Sequence, residues 1–232
     1  NKQIIFMGIF NFFYLVRQSF FRKINKNFYS QFGEDKVLKE ILKININKGF
    51  YVDVGCYHPK KHSNTYLLYK KGWKGINIDI EKNKIDVFKM SRPNDINILA
   101  AVSDKKRHVK VHKTQDYGVG SKIIYNAKIK SNFKTLESQT LNEIIEKTIY
   151  KNRKIDLLNI DTEGEDFNVL KSLNIKKYNP SIIIIESHLK SINEILKSKI
   201  YTFLVEKNYQ LRSWNFFSLI FTLKNSTIIR NR

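Results

Sequence analysis

The run Phe50-Tyr51-Val52-Asp53-Val54-Gly55-Cys56-Tyr57-His58-Pro59 decides the fold. Four β-prone residues and Asp53 lead to a glycine, the residue that lets a strand turn sharply and lets backbone lie close beneath a ligand. A second apolar run, Gly75 to Ile78, ends in Asp79. That acid stands roughly 20 residues beyond the glycine, the spacing at which a carboxylate accepts hydrogen bonds from ribose hydroxyls in nucleotide-binding α/β units. Between the two runs, Ser63-Asn64-Thr65 precedes the apolar stripe of 66–71. A capped crossover helix, and hence a right-handed βαβ unit, is expected there.

The residues after Gly55 lack the G-x-G-x-x-G loop that seats a pyrophosphate on a helix N-terminus. A cofactor with a ribose and no phosphate fits better, which points to S-adenosylmethionine. Asp53 is expected to serve its positively charged end, Gly55 to pass beneath it and Asp79 to hold its ribose. The rest of the chain keeps alternating. A short helix is expected over 82–90, buried strands over 96–102 and 155–160, and a helix over 165–173. The most apolar strand, 181–186, is expected at the sheet centre, followed by helix over 190–208; this is a parallel-sheet rhythm. The aromatic-rich runs 209–214 and 216–223 predict an antiparallel hairpin at one edge. Residues 105–134 are the least regular, with a strand near 107–113 and a glycine-bearing loop at 116–121 of the kind that carries substrate contacts.

Ligands of open α/β sheets lie beyond the carboxyl ends of the strands. This singles out Asp53, Asp79, Ser103, Asp161 and Glu186. Ser103 and Asp104 are expected beside the adenine, Asn64 and Thr65 toward the methionine moiety, and Gln31 with Glu34 near the same pocket. The structural alternatives are helix caps for Asp53, Asp79, Asn64 and Thr65, and helix-dipole partners for Glu165 and Asp166.

Taken in order, Ser30–Asp35, Tyr51–Pro59, Ser63–Thr65, Gly72–Asp79, Ala101–Asp104, Thr140–Leu141 and Ile160–Glu165 resemble the FkbM family of S-adenosylmethionine-dependent methyltransferases. The likeness runs from about Ser30 to about Leu223. It implies an α/β, Rossmann-like class I methyltransferase fold: a mostly parallel seven-stranded sheet with an antiparallel C-terminal hairpin and helices on both faces. It also implies methylation of a hydroxyl on a sugar or natural product, with the acceptor at Asp161 and Glu163. Methyl transfer is an in-line displacement at carbon, so alignment of the acceptor oxygen matters and a base must take its proton. His188, two positions after Glu186, is the candidate for that base. Alternatively, Asp161, Glu186 and His188 hold Mg2+ or Mn2+. The pairs His58/His62 and His108/His112 are assigned no zinc role.

Composition sets the outer bounds. The 232 residues make one domain, organised as a helical apolar and basic segment at 1–29 and a methyltransferase domain at 30–232. The net charge of +21 attracts anionic glycans, phosphates, acidic lipid or nucleic acid, or else decorates solvated faces. A nucleic-acid methyltransferase is therefore one alternative, although no Asn-Pro-Pro-Tyr-type loop follows Asp161. A non-catalytic module that uses the cofactor fold to bind a partner is another. Cys56 is the only cysteine, so no disulfide forms within the chain, and a cytoplasmic setting is expected. The apolar stretch Ile4–Val16 is shorter than the roughly 20 residues needed to cross a bilayer. It is expected to pack on the domain, to bury in a partner subunit, or to lie peripherally on the inner face of the membrane.

Overall fold

The computed structural model describes residues 2–22, 28–42, 48–112, 122–124 and 133–229. Helix α1 (Lys2–Val16) runs into a π-helical turn (Arg17–Phe21), and α2 (Glu34–Ile41) precedes β1 (Phe50–Val54). Then come α3 (Tyr66–Lys70), β2 (Lys74–Asp79), α4 (Lys82–Ser91) and β3 (Ile96–Leu99). An inserted layer contains β4 (Ala101–Val102), β5 (Arg107–His112), β6 (Lys122–Ile124) and β7 (Phe133–Gln139). The alternation resumes with α5 (Leu141–Glu146), β8 (Leu157–Ile160), α6 (Asp166–Lys171), α7 (Ile175–Tyr178) and β9 (Ile182–Glu186). Helices α8 (Ile192–Leu196) and α9 (Lys199–Glu206) lead to the hairpin of β10 (Tyr209–Asn215) and β11 (Ser218–Leu223).

The main sheet has seven strands in the order β10-β11-β9-β8-β1-β2-β3. From β9 to β3 the pairings are parallel, and β11 joins β9 and β10 antiparallel. Both faces are covered, as strand side chains of period two require. Phe50, Val52 and Val54 of β1 share one apolar layer with Ile145, Leu170, Tyr178, Ile195 and Leu204 from α5 to α9. Tyr51 faces the other way and packs with Leu38, Ile41, Leu68 and Trp73, from and beside α2 and α3.

Four expectations are corrected. The 96–102 run is not one buried strand. β3 pairs only with β2, so as an edge strand it is half-covered, and the chain then leaves for a second sheet in which β4 pairs with β7. The 181–186 run lies third from the hairpin edge, because β10 and β11 extend the sheet beyond it. The 190–208 helix is two helices, since the Ser198 hydroxyl accepts from the Tyr201 N–H and starts a new one. The region read as irregular contains a second sheet of order β4-β7-β5-β6; the 116–121 loop lies outside the described residues. At the N-terminus, α1 and the π turn lie against α4. Among the described residues no helix is long and apolar enough to cross a membrane.

Candidate active site

β1 leads through α3 to β2 on one side, whereas its other neighbour, β8, leads to β9 on the opposite side. Connections that depart in opposite directions leave a crevice at the carboxyl ends, and open α/β sheets bind ligands there. Gly55 turns the chain at this point with φ +82°, and its N–H donates to the Ile78 carbonyl at 2.8 Å. A Cβ on residue 55 would lie 1.7 Å from the Asp161 carbonyl oxygen. The ends of β1 and β8 can therefore meet only because residue 55 has no side chain.

A cavity of about 330 Å3 opens over this junction. Gly55, Tyr57, His62, Asp79 and Lys84 line it from the β1–β2 side, and Ile78, Ile80, Ala100, Val102 and Ile123 give it an apolar wall. Asp161, Thr162, Glu163, Glu165, Glu186 and His188 line it from the β8–β9 side, with Gln31, Phe32, Phe217 and Ser218 closing the rim.

Asp79 ends β2 with one carboxylate oxygen accepting from the Glu81 N–H at 2.8 Å and the other 3.5 Å from the Lys84 ammonium. Burial pushes this carboxyl up to about 6, with the Lys84 charge acting the other way. Lys84 is itself buried, which disfavours its charge, but Asp79 and Glu81 outweigh burial and its pKa is raised. The arrangement presents one carboxylate beside apolar walls, a donor set that suits ribose hydroxyls and a purine and has no cradle for a pyrophosphate.

The opposite lip is acidic. Asp161 hydrogen-bonds to Glu186, and burial, followed by the charges of Glu186, Asp166 and Glu163, pushes Asp161 well above the usual carboxylate range. Burial, then Asp166 and Glu163, also raises Glu186. Two carboxyls this close share a proton instead of both ionising. His188 Nε2 lies 3.2 Å from Glu186 Oε1, and its ring centroid is 5.0 Å from that of Phe217. Glu163 adopts φ +54°, a left-handed conformation unusual for a side-chain-bearing residue. The loop is held there by Asp166, which accepts from the Thr162 and Gly164 N–H groups at 2.8 and 3.0 Å. The donor atoms of Glu163, Glu186 and His188 all lie within 4.8 Å of one another.

The structure thus brings Gln31, Gly55, Asp79, Asp161, Glu163, Glu186 and His188 to one cavity. Asp53, Asn64, Thr65, Ser103, Asp104 and Glu34 are not among the residues that line it. Asp53 is buried, accepting from Thr65 Oγ1 at 2.7 Å and Asn159 Nδ2 at 2.8 Å. Asn64 in turn donates to Asn159 Oδ1 at 2.9 Å. Ser103 is fully buried and donates to Glu165 Oε2 at 2.7 Å. Asp104 pairs with Arg107 at 3.0 Å, and Glu34 accepts from the Ser218 hydroxyl at 2.7 Å. The potential metal ligands differ from the expected set, because Glu163 replaces Asp161 in the group of converging donors.

Sequence reasoning missed Lys84, Tyr57, Phe217 and Arg92. Arg92 is fully buried and donates to the Pro59 carbonyl, Ser63 Oγ, Thr65 Oγ1 and Tyr51 Oη. A lone arginine at a helix end has no spacing signature. The signal that could have found it was a pool of buried acids, Asp53 and Asp95, that need a cation.

The chain matches the family model for the methyltransferase FkbM domain over residues 53–211. No curated protein matches it in a sequence search. Among solved structures it is similar to a TehB-like S-adenosylmethionine-dependent methyltransferase from Corynebacterium glutamicum, at 12% identity and a TM-score of 0.41, covering 83% of this chain and 88% of that one. With the family model spanning the crevice, the acid that ends β2 and the acidic lip, the chain belongs to the FkbM family of S-adenosylmethionine-dependent methyltransferases.

Proposed function

We propose that the chain transfers the methyl group to a hydroxyl of a saccharide or glycan precursor. The observation that carries this reading is the composition of the lip: the proton-sharing Asp161 and Glu186 stand beside His188, Glu163 and the Phe32 and Phe217 rings. Carboxylates accept from sugar hydroxyls, and aromatic faces cover the apolar faces of sugar rings. An acceptor presenting phosphates here would meet four carboxyl side chains, Asp161, Glu163, Glu165 and Glu186. That favours a hydroxyl-rich acceptor over nucleic acid despite the overall positive charge.

S-adenosylmethionine supplies an electrophilic methyl group on a sulfonium. Asp79 would hold its ribose, and the Gly55 turn would let it lie against the strand ends. The residues of the lip align the acceptor oxygen behind the methyl carbon, where positioning can contribute about 7–11 kcal/mol. The acceptor oxygen gains the methyl carbon, the carbon–sulfur bond pair leaves with sulfur, and the hydroxyl proton passes to a base. With His188 Nε2 turned to Glu186, Nδ1 is the nitrogen left to take it. Such a base adds about 10²–10⁴-fold.

A second reading rests on the convergence of Glu163, Glu186 and His188. Two carboxylates and an imidazole suit Mg2+ or Mn2+, which would lower the acceptor's pKa and orient neighbouring hydroxyls. Excess chelator distinguishes the two: unchanged turnover leaves His188 as the base, and loss restored by Mg2+ assigns it to the metal.

The test of the function is transfer of a labelled methyl group to a panel of free sugars, nucleotide sugars and lipid-linked glycan extracts, with tRNA and DNA as competitors. A base-stable methyl ether on a sugar is expected. Label in nucleic acid, or in no acceptor while cofactor binds tightly, would overturn the saccharide assignment.

A further inference from the structure

We propose that the N-terminal segment, α1 with its π turn, is a docking surface for an anionic lipid bilayer. Phe10, Phe12, Phe13, Phe20 and Phe21 are each between 57% and 75% exposed. Phe10, Phe13 and Arg17 are spaced three and four apart, so they share one helix face, which continues to Phe20 and Phe21. A solvent-facing run of aromatic rings on a segment otherwise lying against α4 needs a cover.

Charge identifies the cover. Residues 1–33 contain five Lys or Arg and no Asp or Glu. Arg17 is exposed within the stripe, and the Lys60 ammonium sits 5.1 Å from the Phe20 ring centroid. A second copy packed face to face would bring like charges together with no acid in the segment to neutralise them. Anionic headgroups complement these cations, and rings of this size insert at the boundary between headgroup and acyl chain. The segment is also fastened to the domain. Ser19 is buried, Gln18 O receives His58 Nε2 at 3.0 Å, and Arg22 donates to Tyr57 Oη at 2.9 Å. Docking there would bring the loop that lines the cavity close to the bilayer.

The experiment is sedimentation of the full chain with phosphatidylcholine vesicles, with and without 30 mol% phosphatidylglycerol, beside the variant Phe13→Ser/Phe20→Ser/Phe21→Ser. The expected result is binding to the anionic vesicles only, weakened by 0.5 M salt, and about tenfold weaker in the variant at unchanged melting temperature and cofactor affinity. Because a chain of net charge +21 can adsorb through lysines anywhere, equal binding by the variant would overturn the proposal. So would retention in the supernatant, or a concentration-dependent dimer that the variant abolishes without any effect of vesicles.

Discussion

Arg92 Nη1 donates to Thr65 Oγ1 at 2.9 Å, and the same hydroxyl donates onward to Asp53 Oδ2 at 2.7 Å. One buried cation therefore directs the Thr65 hydroxyl onto Asp53, whose other oxygen accepts from Asn159, which in turn accepts from Asn64. With Pro59 and Ser63 also held by its guanidinium, Arg92 fastens the middle and the α3 end of the loop between β1 and α3. The geometry needs several donors fixed in one plane, which an ammonium does not provide.

Arg92→Met should lower stability by about 3–5 kcal/mol, because Asp53 and Asp95 lose the cation that offsets their burial. Arg92→Lys keeps the charge and should cost less. It should still weaken S-adenosylmethionine binding about tenfold by loosening the loop, with little change in kcat. Chemical denaturation and calorimetric titration of both variants check this positioning role; equal cofactor affinity in Arg92→Lys and the parent would show that the contacts are structural only.

Gly55 and Gly33 form a matched pair of tests. Both sit at positive φ, +82° and +85°, but a Cβ at Gly33 meets nothing within 4 Å whereas one at Gly55 meets the Asp161 carbonyl. Gly33→Ala should lose only the left-handed penalty of about 1–2 kcal/mol. Gly55→Ala should lose that and a further ~1–3 kcal/mol of overpacking, together with cofactor binding, as β1 and β8 are forced apart. Similar melting temperatures for the two variants would mean that the crevice is more compliant than its geometry implies.

His58 should make the protein sensitive to mild acid. Its Nδ1 accepts from the Lys60 and Lys61 N–H groups, both at 3.0 Å, and Nε2 faces the Gln18 carbonyl. Burial first, then the Arg22 charge, pushes its pKa from 6.5 down to about 3, against the Gln18 hydrogen bond, which raises it. The unfolded chain therefore takes up a proton that the folded chain refuses. Stability is full above pH 6.5 and lost toward pH 3, by up to about 1.4 kcal/mol per pH unit from this group. Unfolding free energies at pH 7 and pH 5 should fall more steeply in the parent than in His58→Gln; parallel profiles would show that residue 58 is not the titrating group.

These residues also mark how far the sequence could be read. β1, Gly55 and Asp79 were legible because a strand run, a turn and a terminal acid are local signals with fixed spacing. The hairpin of β10 and β11 was legible for the same reason. The second sheet was not, since β5 pairs with β7 across some twenty intervening residues and His108, Lys110 and their neighbours carry polar side chains. The roles of Asp53 and Thr65 depended on Arg92, which is far from both in the chain. The left-handed Glu163 depended on Asp166 fastening the loop from below.

Asp79 and Asp161 should separate binding from turnover. A carboxylate that accepts from ribose hydroxyls must be ionised, and Asp79 is pushed up to about 6. Cofactor affinity should therefore rise with pH through about 6 and fall by at most about tenfold per unit below it. The same shift works oppositely on the free protein: because the folded value lies above the usual 3.8, this group's contribution to stability declines as pH rises from about 4 to 6. Asp79→Asn should bind S-adenosylmethionine weakly and without that pH dependence. Asp161→Asn retains the shape of the lip but removes its shared proton, so it should bind the cofactor within about twofold of the parent and lose about 10²–10⁴-fold in kcat, the range of a general acid or base. Calorimetric titration from pH 5 to 8 with single-turnover methyl transfer tests both. If Asp161→Asn instead abolished binding while Asp79→Asn turned over normally, the cofactor and acceptor halves of the cavity would be reversed. The carboxyl pair at the end of β8 and β9 would then hold the sulfonium end, and the acceptor would lie over Tyr57 and Lys84.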